Sequence, residues 1–340
     1  MTGSAVFETD ARSDVVELIT GGWRAQALYT AIKLGLPDLI ADGHTTSRAL
    51  AEATGAQRDG IHRLLRFLVS VGVFAGGETT GYRNTAKSDE LRDGPASLRD
   101  MCLLYGEECY VAWGHAHSAI SNVRSGFTEA YGESFYAYLG QNDSIARRFQ
   151  NVMNAQNVFA DKVADIFDFS GNKRIVDVGG GGGELLSRIL AATPDAHGTL
   201  FDRAAMIPKA RDHLAAAVGL NRVTLEAGDM FEAIPSGGDV YLFSRVLAGW
   251  TDDAITSVLR TCRQAMKGPA SRVLILDRLV QDEGSTMMPA LWDLHLLVTI
   301  GGGHRTLESF AAVLDRAGFG IERTADLPGE TTAIIAAPGT

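Results

Sequence analysis

Apolar and polar positions run along this chain in two different rhythms. Up to about residue 165 the apolar positions recur every three to four residues, as in helices that bury one face. Val15, Val16, Leu18, Ile19, Trp23, Ala27, Leu28 and Ile32 follow that spacing over 15–34, and Gly35-Leu36-Pro37 ends the segment. TTSRALAEATGAQRDGIHRLLRFLVSVGVF then predicts a helix, a turn at Gly55 and a longer helix, and VFAGGETTGYRNT can fold into a small hairpin. Together they outline a winged helix. SIARRFQNVMNAQNVFADKVADIFDF predicts one long helix ending at Ser170-Gly171.

Beyond that point short apolar runs alternate with helical stretches. RIVDV (174–178), HGTLFD (197–202), RVTLEAG (222–228), DVYLFS (239–244) and RVLILD (272–277) read as buried strands, with weaker ones near 319–325 and 332–337. Such an alternation predicts an α/β fold with a doubly wound, mostly parallel sheet. The chain therefore divides into a helical region over 1–165 and a sheet region over 166–340. In doubly wound sheets ligands sit beyond the carboxyl ends of the strands, so the residues just after each strand carry the candidate chemistry.

Five consecutive glycines, Gly179–Gly183, follow the first strand of the sheet. A nucleotide phosphate loop would end in Gly-Lys-Ser/Thr, but Glu184-Leu185 follows here. No register satisfies the G-x-G-x-x-G pattern of a dinucleotide site, and Asp177 and Glu184 flank the loop with negative charge that would repel a pyrophosphate. S-adenosylmethionine (SAM) reverses that logic. Its sulfonium and ammonium favour acidic neighbours, while close backbone approach still requires glycine. Asp202 can accept both ribose hydroxyls, Asp229 an adenine amino group, Met230 can lie against the adenine ring, and Ser244 can bond the methionine end.

Charge and composition narrow the partners. The 340 residues carry a net charge of −10, and residues 1–100 hold 11 Lys plus Arg against 13 Asp plus Glu, so the winged outline points away from nucleic acid. No apolar run is long enough to span a bilayer, and no signal-like N-terminus is present. Cys102, Cys109 and Cys262 form neither a disulfide framework nor a metal spacing, which points to a reduced cytoplasm and no metal. His115 and His117 in WGHAHS are two apart on a helix and face differently, which disfavours a metal pair.

DVGGGGGELL, LFDRAAM, GDMFEAIPSGGDVYLFSRVLAGWTDD, LILDRLV and DLHLLVTIGGGHRTLESF together resemble the small-molecule O-methyltransferases, a family that includes plant caffeate and flavonoid enzymes and bacterial antibiotic-tailoring enzymes. The likeness runs through nearly the whole chain. It implies a class I methyltransferase domain with a Rossmann-like sheet, and an N-terminal, mostly helical, winged-helix-like dimerisation domain. It also implies a homodimer and an acceptor pocket between the domains for a small aromatic natural product. Gly179, Gly181, Asp202, Asp229, Met230 and Ser244 match cofactor positions; Phe149, Met153 and Gln156 match acceptor-pocket positions. Trp250 and Met288 are further candidates for the pocket wall.

One departure stands out. The family places His-Asp-Trp after the fourth strand, with the histidine as base; here the residues are Ala248-Gly249-Trp250. A commonly glutamate position in a GGxERT-like stretch is His304, and an acidic position after the fifth strand survives as Asp277. His295 or His304 could take over as base, and Asp293 inside LWDLHLLV needs a partner, either an acceptor group or His295. Alternatively the acceptor needs no base, as in N- or C-methylation. A third course keeps SAM but uses the pocket for hydroxylation, decarboxylation or cyclisation; a binding or regulatory protein is the remaining reading.

Overall fold

The computed structural model describes residues 11–94, 96–171 and 173–339. Packing divides the chain into two compact units that meet at Tyr110/Val111. Residues 111–165, grouped by their sequence rhythm with the N-terminal helices, fold with the second unit.

In the first unit the predicted 15–34 segment forms two helices, Ala11–Ile19 and Gly21–Lys33. The break falls at Thr20, whose hydroxyl donates to the Val16 carbonyl at 2.8 Å. Gly35 adopts a left-handed conformation (φ +69), and Pro37 then sits in the first turn of the next helix, Leu36–Ala41, where its missing N–H costs nothing. Thr46 caps the helix Ser47–Thr54 by accepting the Ala49 N–H, and Gly55 (φ +72) closes it. The following helix, Arg58–Ser70, buries Ile61, Leu65 and Leu68. Strands β1 (Phe74–Gly77) and β2 (Gly81–Asn84) pair antiparallel as the expected wing. Cys102 and Cys109 lie on separate helices, Arg99–Gly106 and Glu108–Trp113. Burial alone raises the Cys102 thiol to about 11, so it stays protonated.

The second unit is built on a seven-stranded sheet. Its strands are β3 (Arg174–Val178), β4 (His197–Asp202), β5 (Val223–Ala227), β6 (Val240–Ser244), β7 (Arg272–Asp277), β8 (Phe319–Leu327) and β9 (Thr331–Pro338). The order is β5-β4-β3-β6-β7-β9-β8, with only the pairs made by β9 antiparallel. Strand β5 is an edge strand with exposed positions, not the buried strand its apolar residues suggest, and a loop without a helix leads from it to β6. Phe243, Val258, Phe310 and Ile334 pack one face; Leu186, Ile189, Leu200 and Leu274 pack the other. The winding reverses between β3 and β6, which places the switch point at Gly179 and Ser244.

The predicted long helix is interrupted. It forms Asp143–Ala155, a 3₁₀ turn at Ala160–Lys162 and a short helix Val163–Ile166. The cause is Arg245, at the end of β6. Its Nη2 donates to the Met153 carbonyl at 2.9 Å, which a continuing helix would have offered to the Asn157 N–H, and also to Asn157 Oδ1. The Asn157 N–H turns to Asn154 instead, and Phe159 is fully buried beneath the guanidinium.

A buried hydroxyl closes the amino-terminal end of the central strand β6. Tyr241 Oη accepts the Gly238 N–H at 3.1 Å and lies 2.8 Å from the carbonyls of Pro235 and Ala265. Tyr241→Phe should therefore cost about 1–3 kcal/mol, because backbone groups lose a buried partner. Urea unfolding checks it; a change below about 0.5 kcal/mol would contradict the role given to the hydroxyl.

Candidate active site

The glycine run forms a tight turn from β3 into the helix Glu184–Ala192. Gly179, Gly181 and Gly183 have φ of +71, +57 and +83, which side chains other than glycine rarely adopt. Gly180 is fixed by crowding instead, since a Cβ there would lie 2.7 Å from Asp177 Oδ2. At Gly179 it would meet Val246 Cγ2 at 2.8 Å. At Gly181 and Gly182 the nearest atoms are the Gln150 amide, from 3.4 Å outward. Gln150, which the sequence reading did not single out, thus borders the glycine turn; it lies one helical turn before Met153.

Two carboxylates shape the turn from below. Asp202 Oδ2 accepts the Gly181 N–H at 2.8 Å and Oδ1 accepts the Arg203 N–H at 2.7 Å, leaving further lone pairs open. Asp177 is 1% exposed, and neither of its oxygens has a hydrogen-bond partner. Burial, and after it the charge of Asp202, pushes Asp177 up to about 7. Glu184 departs from expectation: its carboxylate is paired with Arg188 at 2.8 Å and His213 at 3.1 Å, so the negative field under the glycines comes from Asp177 and Asp202.

The remaining cofactor candidates sit at strand ends. Asp229, after β5, accepts the Phe231 N–H at 2.9 Å and stays exposed; Met230 is partly buried against the core. Ser244 closes β6 half-buried, and Arg245 after it takes φ +54. These residues fit SAM. A cradle that side chains would fill, above an uncompensated buried carboxylate, suits a ligand that brings positive charge close to the backbone.

Around the acceptor candidates the structure makes different pairings from those expected. His295, on the helix Met287–Ile300, accepts the Trp113 indole N–H through Nδ1 at 3.1 Å. Trp113 stacks beside it at 6.3 Å and Trp292 stands edge-on at 5.8 Å. Burial lowers His295 to about 4. With the lone pair of Nδ1 engaged, the neutral ring carries its proton on Nε2, so His295 is equipped to donate a hydrogen bond rather than to abstract a proton. Trp113 was not singled out by the sequence. Asp293 Oδ1 accepts the His304 N–H at 2.6 Å, a backbone partner that the sequence did not suggest.

Phe149 joins an aromatic group with Phe135 at 5.3 Å and Tyr136 at 6.4 Å. Gln156 Oε1 accepts from Arg278 Nη2 at 3.0 Å, and Arg278 lies 5.0 Å over Trp292. Met153 contributes its carbonyl to Arg245, and Met288 is half-buried in the first turn of the His295 helix. Trp250 is 41% exposed and packs edge-on against Phe231 at 4.7 Å. No group of side chains able to hold a metal occurs among the described residues.

Residues 113–320 match the O-methyltransferase domain family, and residues 16–92 match the O-methyltransferase dimerisation domain. The chain is 41% identical to phenazine-1-carboxylate N-methyltransferase of Pseudomonas aeruginosa, over 96% of this chain and 97% of that protein. It is 38% identical to 3-amino-4-hydroxybenzoate 4-O-methyltransferase of Streptomyces cremeus, over 95% and 89%. Human N-acetylserotonin methyltransferase, solved with SAM, superposes with a TM-score of 0.87 at 26% identity, covering 100% of both chains. The chain belongs to the O-methyltransferase family. It is a SAM-dependent methyltransferase.

Asp177 gives this site a pH signature. Its carboxyl titrates near 7 in the fold against about 3.9 in an unfolded chain, so the native state holds the proton more tightly. Stability therefore falls as pH rises from about 4 to about 7 and levels off above. Asp177→Asn should be more stable than wild type at pH 8, with the two converging at pH 4. Denaturant melts at both pH values check this; a less stable variant at pH 8 would contradict it.

Proposed function

We propose that this methyltransferase carries the methyl group of SAM to a nitrogen or hydroxyl oxygen of a small planar aromatic natural product, working as a homodimer in the cytoplasm. The observation that carries the acceptor class is the run Trp113–His295–Trp292, one indole stacked beside an imidazole and a second standing edge-on to it. Aromatic faces hold a flat ring, and the imidazole N–H fixes its orientation. Relatives named for phenazine-1-carboxylate and 3-amino-4-hydroxybenzoate support the same class.

The proposed roles follow from position. Gly179 and Gly181 give the cofactor backbone access, Asp202 and Asp229 offer acceptors for ribose and adenine, Met230 lies against the adenine ring, and Ser244 faces the methionine end. Phe149, Met153, Gln156, Trp250 and Met288 complete the acceptor wall. Bound in this cradle, SAM supplies an electrophilic methyl on a sulfonium. Asp177 and Asp202 favour that cation over an anionic cofactor.

Position 248 supplies no proton acceptor, for Ala248 is buried and apolar. The cost depends on the acceptor. A phenol of pKa ~10 is only ~0.1% ionised at pH 7, a deficit of about 4 kcal/mol in reactive species. Alignment of a nucleophile with the methyl is worth an effective molarity of ~10⁵ M or more, enough for an amine or an acidic phenol.

The homodimer rests on the dimerisation match and on Val15, Val16, Leu18, Ile19 and Trp23, all exposed on the first two helices. Three unpaired thiols suit a reducing compartment.

The test is uptake of labelled methyl from SAM by phenazine-1-carboxylate and 3-amino-4-hydroxybenzoate. His295→Ala should raise the acceptor KM about tenfold or more with SAM affinity unchanged. The pH–rate profile of the variant should keep its shape between pH 5 and 9, because His295 titrates near 4. A basic or acidic limb lost with His295 would contradict its role as donor.

A further inference from the structure

At the end of β7, two buried ionisable groups face each other without any hydrogen bond to either facing nitrogen or to the outer carboxylate oxygen. His304 Nδ1 lies 3.4 Å from Asp277 Oδ1, with side-chain exposures of 5% and 2%. Asp277 Oδ1 is already engaged by the Arg278 N–H at 2.8 Å. Neither His304 Nδ1 nor Asp277 Oδ2 has a partner. Leaving two such groups unsatisfied in an interior costs stability, so their retention calls for a use.

Their surroundings supply one. The loop that carries His304 is pressed onto the Ala248-Gly249 segment. The Gly303 N–H donates to the Ala248 carbonyl at 2.9 Å, and a Cβ at Gly302 would lie 2.6 Å from that oxygen. Ala248 comes two residues after Val246, which lies against Gly179 of the cofactor turn. Asp277 is one residue beyond Leu276, the register partner of Ser244. Asp293 fixes the backbone of His304 from the other side by accepting its N–H at 2.6 Å. The imidazole is thus held at its main chain by one carboxylate and faced at Nδ1 by another, a step from the strand ends where the cofactor cradle forms.

We propose that His304 is the proton acceptor of this methyltransferase and that Asp277 is its positioning residue. The inference rests on the proposed reading that the acceptor atom is a nitrogen or oxygen, and it applies where that atom bears a hydrogen. Asp277 holds the Nδ1–H tautomer, which leaves the lone pair on Nε2, the ring nitrogen turned away from the carboxylate. The acceptor proton passes to Nε2 as the acceptor heteroatom bonds the methyl. The electron pair of the broken carbon–sulfur bond stays on sulfur, and the imidazolium returns its proton to solvent. The charged groups facing the ring are Asp277 from β7 and, at its backbone, Asp293 from the Met287–Ile300 helix. The neighbouring Arg305 is committed to Asp252 at 2.9 Å and to the Trp250 carbonyl.

The first test needs no acceptor. In ¹⁵N-histidine-labelled protein saturated with S-adenosylhomocysteine, the His304 resonances are assigned by their loss in His304→Gln. The expected result is the Nδ1–H tautomer at pH 8, passing to a mixture or to Nε2–H in Asp277→Asn. An Nε2–H tautomer in wild type, or a tautomer indifferent to Asp277→Asn, would overturn the proposal. The second test uses the two probe acceptors. His304→Gln should lower kcat for the hydroxyl of 3-amino-4-hydroxybenzoate about 10²–10⁴-fold, leaving SAM affinity within about twofold. Transfer to the ring nitrogen of phenazine-1-carboxylate, which has no proton to lose, should change by less than about threefold. Equal losses on both acceptors would show a structural role and overturn the proposal. Methyl transfer lost in wild type with S-adenosylhomocysteine still bound would count against the acceptor reading and leave the tautomer result to stand by itself.

Discussion

A single constraint, the approach of Gly180 to the buried carboxylate of Asp177, organises the site. The carboxylate lies at the end of a strand buried on both faces, with no donor for either oxygen. Because the turn above it has no Cβ to spare, the backbone descends to within contact of that charge. Asp202 then ties the turn down through the Gly181 N–H. The outcome is a backbone cradle with negative charge beneath it, the reverse of what a pyrophosphate site requires. A cradle of that sign, set by strand geometry and desolvation without any long-range network, fits a cationic cofactor.

Much of this could be read from the chain before its structure was known. The central strands β3, β6 and β7 announced themselves because parallel strands buried on both faces leave continuous apolar runs, and the glycine turn because side chains rarely adopt the conformation of Gly179, Gly181 and Gly183. What escaped the sequence was tertiary. The helix after Asp143 breaks because Arg245, some ninety residues away, takes a carbonyl, and nothing in the local pattern records that. Glu184 looked like part of the acidic cradle but turns to Arg188 and His213, one a helical turn ahead and the other on the next helix. Trp113 had no motif to mark it, yet its indole N–H engages His295 Nδ1 and so places the ring proton on Nε2.

The acceptor side shows how a family scaffold shifts its chemistry with few changes. An apolar Ala248 stands where relatives are expected to carry the base, yet the neighbouring loop brings a histidine to a buried aspartate. Both loops are held by backbone hydrogen bonds, so their side chains can vary while the frame stays fixed. In the proposed reading Trp113 and Trp292 form aromatic walls that demand only a flat ring, which suits a scaffold whose relatives act on different small natural products.

The most direct measurement is calorimetric titration of SAM at pH 7 in buffers of different ionisation enthalpy. A carboxyl titrating near 7 is about half protonated there, so a cation placed over it should expel up to about half a proton per site. The account predicts that release, its disappearance in Asp177→Asn, and no heat with NAD. SAM binding without proton release, or binding of NAD in its place, would contradict the claim that the buried carboxylate selects the cofactor.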